Sequence, residues 1–257
     1  MKNKVIVLLA SFAAMSGLAH ADLGPTRTDA GRVTIKENKP YRLEGDLSYL
    51  LNTTKSGSDS NSKENLAANL LFQRQVGVWG QEVRAEAVSA NDDSDGASNV
   101  ERYMLSGKVL HRSTDTIYEF AKLQGDKDLS SNFDYQVSLT GGLGFDLLKD
   151  DKQMLTAEVG AGYRYSKERY VPYDDVNEVI GTVAAYYQYK FNDKVKFNQD
   201  LSYEFGKESQ ILRSRSSVTA NLTESISGLV SYQIKDTQAD VGNSRDSLLS
   251  VGLKYIY

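Results

Sequence analysis

From Tyr41 to the end of the chain, apolar and polar residues alternate with a period of two almost everywhere. No stretch of useful length carries a helical period. The clearest segment runs from Tyr135 to Leu147. Tyr135, Val137, Leu139, Gly141, Leu143, Phe145 and Leu147 form one face, and Gln136, Ser138, Thr140, Gly142, Gly144 and Asp146 form the other. Beyond Lys149-Asp-Asp-Lys152, the residues Leu155, Ala157, Val159, Ala161, Tyr163 and Tyr165 alternate with Thr156, Glu158, Gly160, Gly162, Arg164 and Ser166. The same reading predicts strands near 42–53, 64–75, 81–90, 100–111, 116–124, 133–147, 153–166, 178–191, 195–206, 211–222, 226–235 and 247–257.

Polar stretches at 54–63, 91–99, 125–132, 167–177 and 236–246 alternate with tighter connections at 76–80, 112–115, 148–152, 192–194 and 223–225. The connection at 207–210 is short although its place in the order calls for a long loop. A turn centred on Asp150 sets Leu139 opposite Ala161, Gly141 opposite Val159, Leu143 opposite Ala157 and Tyr135 opposite Tyr165. Large residues then meet small ones across the pair, as side chains ~5 Å apart require. A hairpin closed at 207–210 sets Glu204 opposite Arg213 and Ser202 opposite Arg215. Only the segment 116–124 resists assignment, because Tyr118 and Phe120 share a face with Lys122.

An even number of alternating strands, joined by long loops on one side and short turns on the other, is the pattern of a bacterial outer-membrane barrel. In lipid every backbone group must be paired within the protein, so such strands survive only in a closed barrel. The fold class read from the pattern is therefore all-β, a closed antiparallel transmembrane β-barrel of about twelve strands. A lipocalin-like soluble barrel also alternates, but has about eight strands, with apolar residues inside and charges outside. The apolar faces at 133–147, 153–166, 178–191 and 226–235 carry no charge. That fits a lipid face, where a lysine or arginine costs ~2–4 kcal/mol at the midplane.

Both chain ends agree. The segment Ser250-Val-Gly252-Leu-Lys-Tyr255-Ile-Tyr257 has the spacing polar-x-Gly-x-x-aromatic-x-aromatic, similar to the C-terminal signal of outer-membrane barrels. Gly252, Tyr255 and Tyr257 are its candidate assembly residues, to be read by the barrel-assembly machinery. At the other end Lys2 and Lys4 precede a mostly apolar run from Val5 to Leu18, and Ala19-His-Ala21 supplies an A-x-A cleavage pattern. Residues 1–21 read as a secretory signal peptide cleaved near Ala21, residues 22–40 as a polar periplasmic segment, and residues 41–257 as the barrel, with both termini periplasmic.

Composition narrows the classes further. No stretch after the leader reaches the ~20 apolar residues of a spanning helix. Mean hydropathy is −0.45, as expected where half of each strand faces a polar lumen. The chain has no cysteine, three prolines and sixteen tyrosines. Thiolate metal sites are excluded, long strands run uninterrupted, and an interfacial aromatic belt is well supplied. The formal charge is −4; losing Lys2 and Lys4 leaves about −6, and no basic stripe supports nucleic-acid binding.

Three patches resemble the YdiY-like salt-induced outer-membrane protein family, a domain of unknown function. They are Leu43-Glu-Gly-Asp-Leu-Ser-Tyr49 leading into Asn52-Thr-Thr54, Thr140-Gly-Gly-Leu-Gly-Phe145 and Val159-Gly-Ala-Gly-Tyr163-Arg-Tyr165, within a likeness covering roughly residues 41–257. The chain departs from that family at Leu51-Asn-Thr-Thr54, where a Ser-Gly-Asn-Thr type of turn is expected. The resemblance implies an outer-membrane barrel, with an association with osmotic or salt stress and no catalytic residues.

Few constellations suggest chemistry. His20 leaves with the leader, and His111 sits at a strand end without a sequence-evident nucleophile or orienting group. No enzyme activity and no cofactor are expected. A lipid-modifying enzyme ranks third among the readings, after a channel and a closed barrel contacting lipopolysaccharide. Asn91, Asp93, Asp95 and Gly96 match positions one, three, five and six of a calcium loop, but position twelve is Arg102 and the flanks are strands. This predicts a hydrated acidic loop and no metal site. Gly141-Gly-Leu-Gly144 lies within a strand, so it is no dinucleotide fingerprint.

The inward face is the most promising surface. Arg42, Glu44, Asp46, Glu82, Arg84, Glu86, Glu119, Lys235 and Lys254 are expected there. The candidate lumen-lining set is Glu158, Arg164, Lys196, Asp200, Glu204, Arg213 and Arg215. These form either an ion-pair network that fills the barrel or a mixed-charge passage for small polar solutes. Gly142, Gly144, Gly160 and Gly162 serve either wall curvature or open space. The expected partners are outer-membrane lipids, lipopolysaccharide and, for a channel, small polar solutes.

Overall fold

A computed structural model describes residues 40–56, 59–92, 100–129, 133–169, 174–239 and 242–256. The signal peptide read at 1–21, all but the end of the 22–40 segment, and Tyr257 lie outside the described residues. Twelve strands follow in order: β1 (Tyr41–Ser56), β2 (Asp59–Val76), β3 (Trp79–Asp92), β4 (Val100–Arg112), β5 (Ile117–Asp128), β6 (Phe133–Lys149), β7 (Gln153–Glu168), β8 (Val176–Lys190), β9 (Val195–Phe205), β10 (Ser209–Asn221), β11 (Ile226–Ala239) and β12 (Gly242–Ile256). Each pairs antiparallel with its sequence neighbours, and β1 closes the ring on β12. Closure removes both sheet edges, so no row of ladder groups is left bare.

The barrel is inside out relative to a soluble protein. Leu105 is 61% exposed and Leu253 57%, whereas Arg102 and Arg164 retain 1% and 2%. Apolar side chains therefore look outward, and ionised ones look toward the axis. Tyr49, Tyr103, Tyr135, Tyr163 and Tyr203 stand exposed on the outer face toward one end of the strands. Trp79, Phe191 and Tyr255 stand exposed toward the other. These are the two aromatic girdles of a membrane barrel.

The short turns at the end nearer the chain termini share one construction. Thr114 Oγ1 accepts from the Ile117 amide at 2.9 Å, Asp150 Oδ1 from Gln153 at 2.8 Å, Asn192 Oδ1 from Val195 at 2.9 Å and Thr223 Oγ1 from Ile226 at 2.9 Å. A short polar side chain thus closes each turn on its own backbone. The β2–β3 turn differs: Gly77, at φ 57°, occupies the first central position of a two-residue loop, where a hairpin turn needs positive φ.

Two features depart from the sequence reading. Residues 54–63 and 236–246, expected as loops, are largely strand. The ladder runs to Ser56 opposite Asp59 in one hairpin and to Ala239 opposite Gly242 in the other. Polar residues occupy both alternating sets of positions there, so the hydropathy alternation vanishes while the backbone ladder continues.

The two expected registers are each displaced by two residues. Leu139 faces Tyr163, Gly141 faces Ala161 and Leu143 faces Val159, because the turn is centred beyond Asp150 and a β-bulge between Asp146 and Leu148 adds a residue to β6. Tyr135 and Tyr165 still touch, with ring centroids 5.9 Å apart. In β9–β10, Ser202 faces Arg213 and Asp200 faces Arg215, since the turn holds only Lys207 and Glu208. A displacement of two keeps every side chain on its face, so inside and outside are unaffected.

Candidate functional site: an ion-paired lumen

Strand alternation delivers one charged or polar side chain to the lumen every second residue. On β5 the inward residues are Tyr118, Phe120, Lys122, Gln124, Asp126 and Asp128; Glu119 points outward, contrary to expectation. The reason lies on the neighbouring strand. A side chain at Gly144 would meet the Tyr118 ring within 2.1 Å, so the missing Cβ is what lets the aromatic lie inward. Glu119 sits at the terminal-side rim, where Ser113 donates to one carboxylate oxygen and His111 Nδ1 lies 3.0 Å from the other.

Gly142, Gly160 and Gly162 have a different role. A Cβ on Gly142 would lie 2.1 Å from the Val159 carbonyl oxygen, and one on Gly162 2.2 Å from that of Leu139. The β6 and β7 backbones approach too closely at these positions for side chains, so the glycines are not there to leave open space. Gly252 is similar: its Cβ would lie 2.3 Å from the Leu47 carbonyl oxygen, so the glycine permits the β12–β1 closure. Tyr255 is exposed on the outer face.

The candidate lumen residues fall into three groups. Arg164 anchors the first. It donates to Glu178 Oε1 at 2.7 Å, to Glu204 Oε2 at 3.2 Å and to the Ser209 carbonyl at 3.1 Å. Glu204 also pairs with Arg213, and Glu178 accepts the Glu208 amide at 2.9 Å. This cluster ties the short β9–β10 turn to β7 and β8 through the Glu208 amide and Ser209. In the second group, Glu158 accepts from both Lys108 and Tyr118, and Lys108 Nζ lies 4.7 Å from the Phe120 ring centroid. Leu110, Tyr118 and Phe120 make a small apolar cluster beside it. Lys108 was not among the expected lumen residues, although its alternation with Leu105 and Val109 carried the signal.

The third group crosses the bore. Lys235 Nζ on β11 lies 3.6 Å from Asp128 Oδ2 on β5, six strands away around a ring of twelve and thus diametrically opposite. Arg102 Nη2 holds the same carboxylate oxygen at 2.6 Å. Arg102 thereby faces the lumen; of the acidic 91–96 stretch, residues 93–96 lie outside the described residues. Arg215 on β10 reaches Asp46 on β1 at 3.7 Å, and Asn69 donates to that same oxygen at 2.6 Å. Asp200 lies buried opposite Arg215. Near the terminal-side mouth, Lys254 and Arg42 share Glu44, while Lys196 is half-buried among the like charges of Arg42 and Lys190.

Between these groups the mid-lumen cavity lined by Lys122, Thr140, Thr182, Ser202, Glu204 and Arg213 holds about 40 Å³. That is room for one to three waters. Thr140 Oγ1 has no protein partner there, consistent with hydration. Among the described residues no group of three His, Asp or Glu side chains is placed to hold a metal ion.

A closed twelve-stranded ring with a greasy outside and an ion-paired inside defines the class: an outer-membrane-type β-barrel. The chain belongs to the family described as "Protein of unknown function, DUF481", whose model matches residues 46–257. Among curated proteins no sequence matches it. Among solved structures it is similar to the COG4313 outer membrane channel from Pseudomonas putida F1, at 11% identity over 91% of this chain and 98% of that one, TM-score 0.52. It also matches the translocator domain of the autotransporter NalP from Neisseria meningitidis (10% identity, 85% and 89% covered, TM-score 0.46) and the KdgM porin (13%, 83% and 98%, TM-score 0.43). At these identities the likeness describes the fold alone.

Proposed function

We propose that the protein resides in the bacterial outer membrane, both termini in the periplasm, and that its lumen is a narrow passage for small polar solutes held shut at rest by cross-bore ion pairs. One observation carries this reading: a bore lined by buried ionised pairs inside an apolar exterior. Buried ion pairs are weak contributors to stability, and well-packed apolar residues often replace them without loss. A barrel kept only for its wall has no need of them; a solute path does. The orientation follows from the short turns lying at the end of the strands that the termini share. The salt-stress role that the resemblance implies fits an envelope barrel of this kind.

His111 is assigned no catalytic part, since Ser113 bonds the Glu119 carboxylate and not the imidazole. A second reading, a closed structural barrel, is favoured by the 40 Å³ mid-lumen cavity. Planar-bilayer recording separates the two. A passage gives brief, small conductance steps in the wild type and larger or longer ones in Lys235→Ala. Silence in both at every voltage removes the passage and leaves the closed barrel.

A further inference from the structure

The outer face carries a groove of about 580 Å³ over strands β2 to β6, within the size range of small-molecule sites. Its floor is Ala85, Ala87 and Gly125, and Leu105 and Val137 rise beside it. Tyr103, Tyr135 and Lys127 close its upper end, in the girdle farther from the chain termini.

Gly125 is unlike the glycines of the inner wall. A Cβ there would meet nothing within 4 Å, and the same is true of Gly107, two residues below Leu105 on the same face. Neither has a positive φ. Glycine weakens a strand interior and is normally explained by a bulge or a close approach. At Gly125 the barrel itself makes no such approach, so the space over it is left for something outside the chain.

We propose that this groove seats an acyl chain of a phosphorylated outer-leaflet lipid, lipopolysaccharide, with the Lys127 ammonium against its phosphate. The apolar floor lies at bilayer depth and the cation lies at headgroup level, so one molecule spans both. Lys127 is exposed and has no ion-pair partner among the described residues. Nearby carboxylates are already engaged: Glu101 accepts from the Tyr103 hydroxyl at 3.5 Å, Asp175 from Tyr165 at 2.7 Å and from Lys167 at 3.0 Å, and Asp134 lies 3.9 Å from Arg169. A zwitterionic phospholipid also offers a phosphate, but one offset by its own ammonium, so the net negative charge of the phosphorylated glycolipid favours it at Lys127. The proposal rests on outer-membrane residence and is independent of conduction.

Native mass spectrometry of the full barrel, released from mild detergent after incubation with purified lipopolysaccharide or with phosphatidylethanolamine, tests it. The wild type should retain one lipopolysaccharide, and phosphatidylethanolamine at equal concentration should not displace it. Gly125→Leu fills open space and should keep heat-modifiable gel migration unchanged while cutting retention roughly tenfold. Lys127→Gln should cut it about fivefold, the weight of one lysine near an anionic surface. Equal retention in wild type and Gly125→Leu, or equal retention of both lipids, overturns the assignment. Silent bilayers alongside selective lipid retention would remove the passage and leave this site standing.

Discussion

The Arg164 cluster and the Lys235–Asp128 tie are both buried ion pairs, yet they do different work. Arg164 joins neighbouring strands, β7 to β8 and β9, and its guanidinium is satisfied by two carboxylates and the Ser209 carbonyl. Lys235 reaches across the whole bore for a contact of 3.6 Å with a carboxylate that Arg102 already holds. A charge locked among neighbours stabilises a wall, whereas a contact that spans the diameter is the one the proposed passage would have to release.

The largest effect should follow Arg164→Ala, which leaves Glu178 buried without its cation and Glu204 with Arg213 alone, and should cost about 3–5 kcal/mol. The midpoint of the heat-modifiable gel shift, or of urea unfolding in detergent, reads it. Next comes Gly142→Val, whose side chain must push the β7 backbone away. About 1–3 kcal/mol of overpacking should lower the same midpoint, whereas Gly125→Leu should leave it unmoved. Lys235→Ala should cost less than about 1 kcal/mol, as expected when Arg102 still compensates Asp128, while changing conductance more than any of these. If Lys235→Ala destabilises as much as Arg164→Ala, the distinction between wall and gate fails.

The smallest effect concerns pH. Backbone amides of Lys152 and Gln153 hold the Asp150 carboxyl below its ordinary range. A depressed carboxyl contributes stability that is present above its unfolded value of about 4 and is lost as pH falls through the lower folded value. Asp150→Asn keeps the accepting oxygen, as Asn192 does in its own turn, and should flatten the acid side of the stability profile slightly. An unchanged slope below about pH 4 would show that the turn's charge is immaterial.

Much of this was legible from period two alone. The twelve strands, the uncharged outer faces, and the inward placement of Glu158, Arg164, Asp200, Glu204, Arg213 and Arg215 all follow from alternation. Register did not, because a bulge at Asp146–Leu148 and a two-residue turn at Lys207-Glu208 leave hydropathy unchanged while sliding partners. The inward aromatics Tyr118 and Phe120 resisted too. Their burial depends on a glycine one strand away, information that no single strand contains. Likewise Ile180, Ile211 and Leu229 are buried on the inward, otherwise polar face of their strands. The polar hairpin extensions were lost for the opposite reason: polar residues at both alternating sets of positions erase the contrast that marks a strand.

The join between β1 and β12 differs from every other joint in the ring. Among the described residues the ladder there runs from Glu44 opposite Ile256 to Tyr49 opposite Val251, and no turn joins these two strands. All eleven remaining joints are stitched by the chain itself. Ring closure is therefore a meeting of the first and last strands, and its ladder, shorter than that between β11 and β12, is where a pull on β12 should first part the ring.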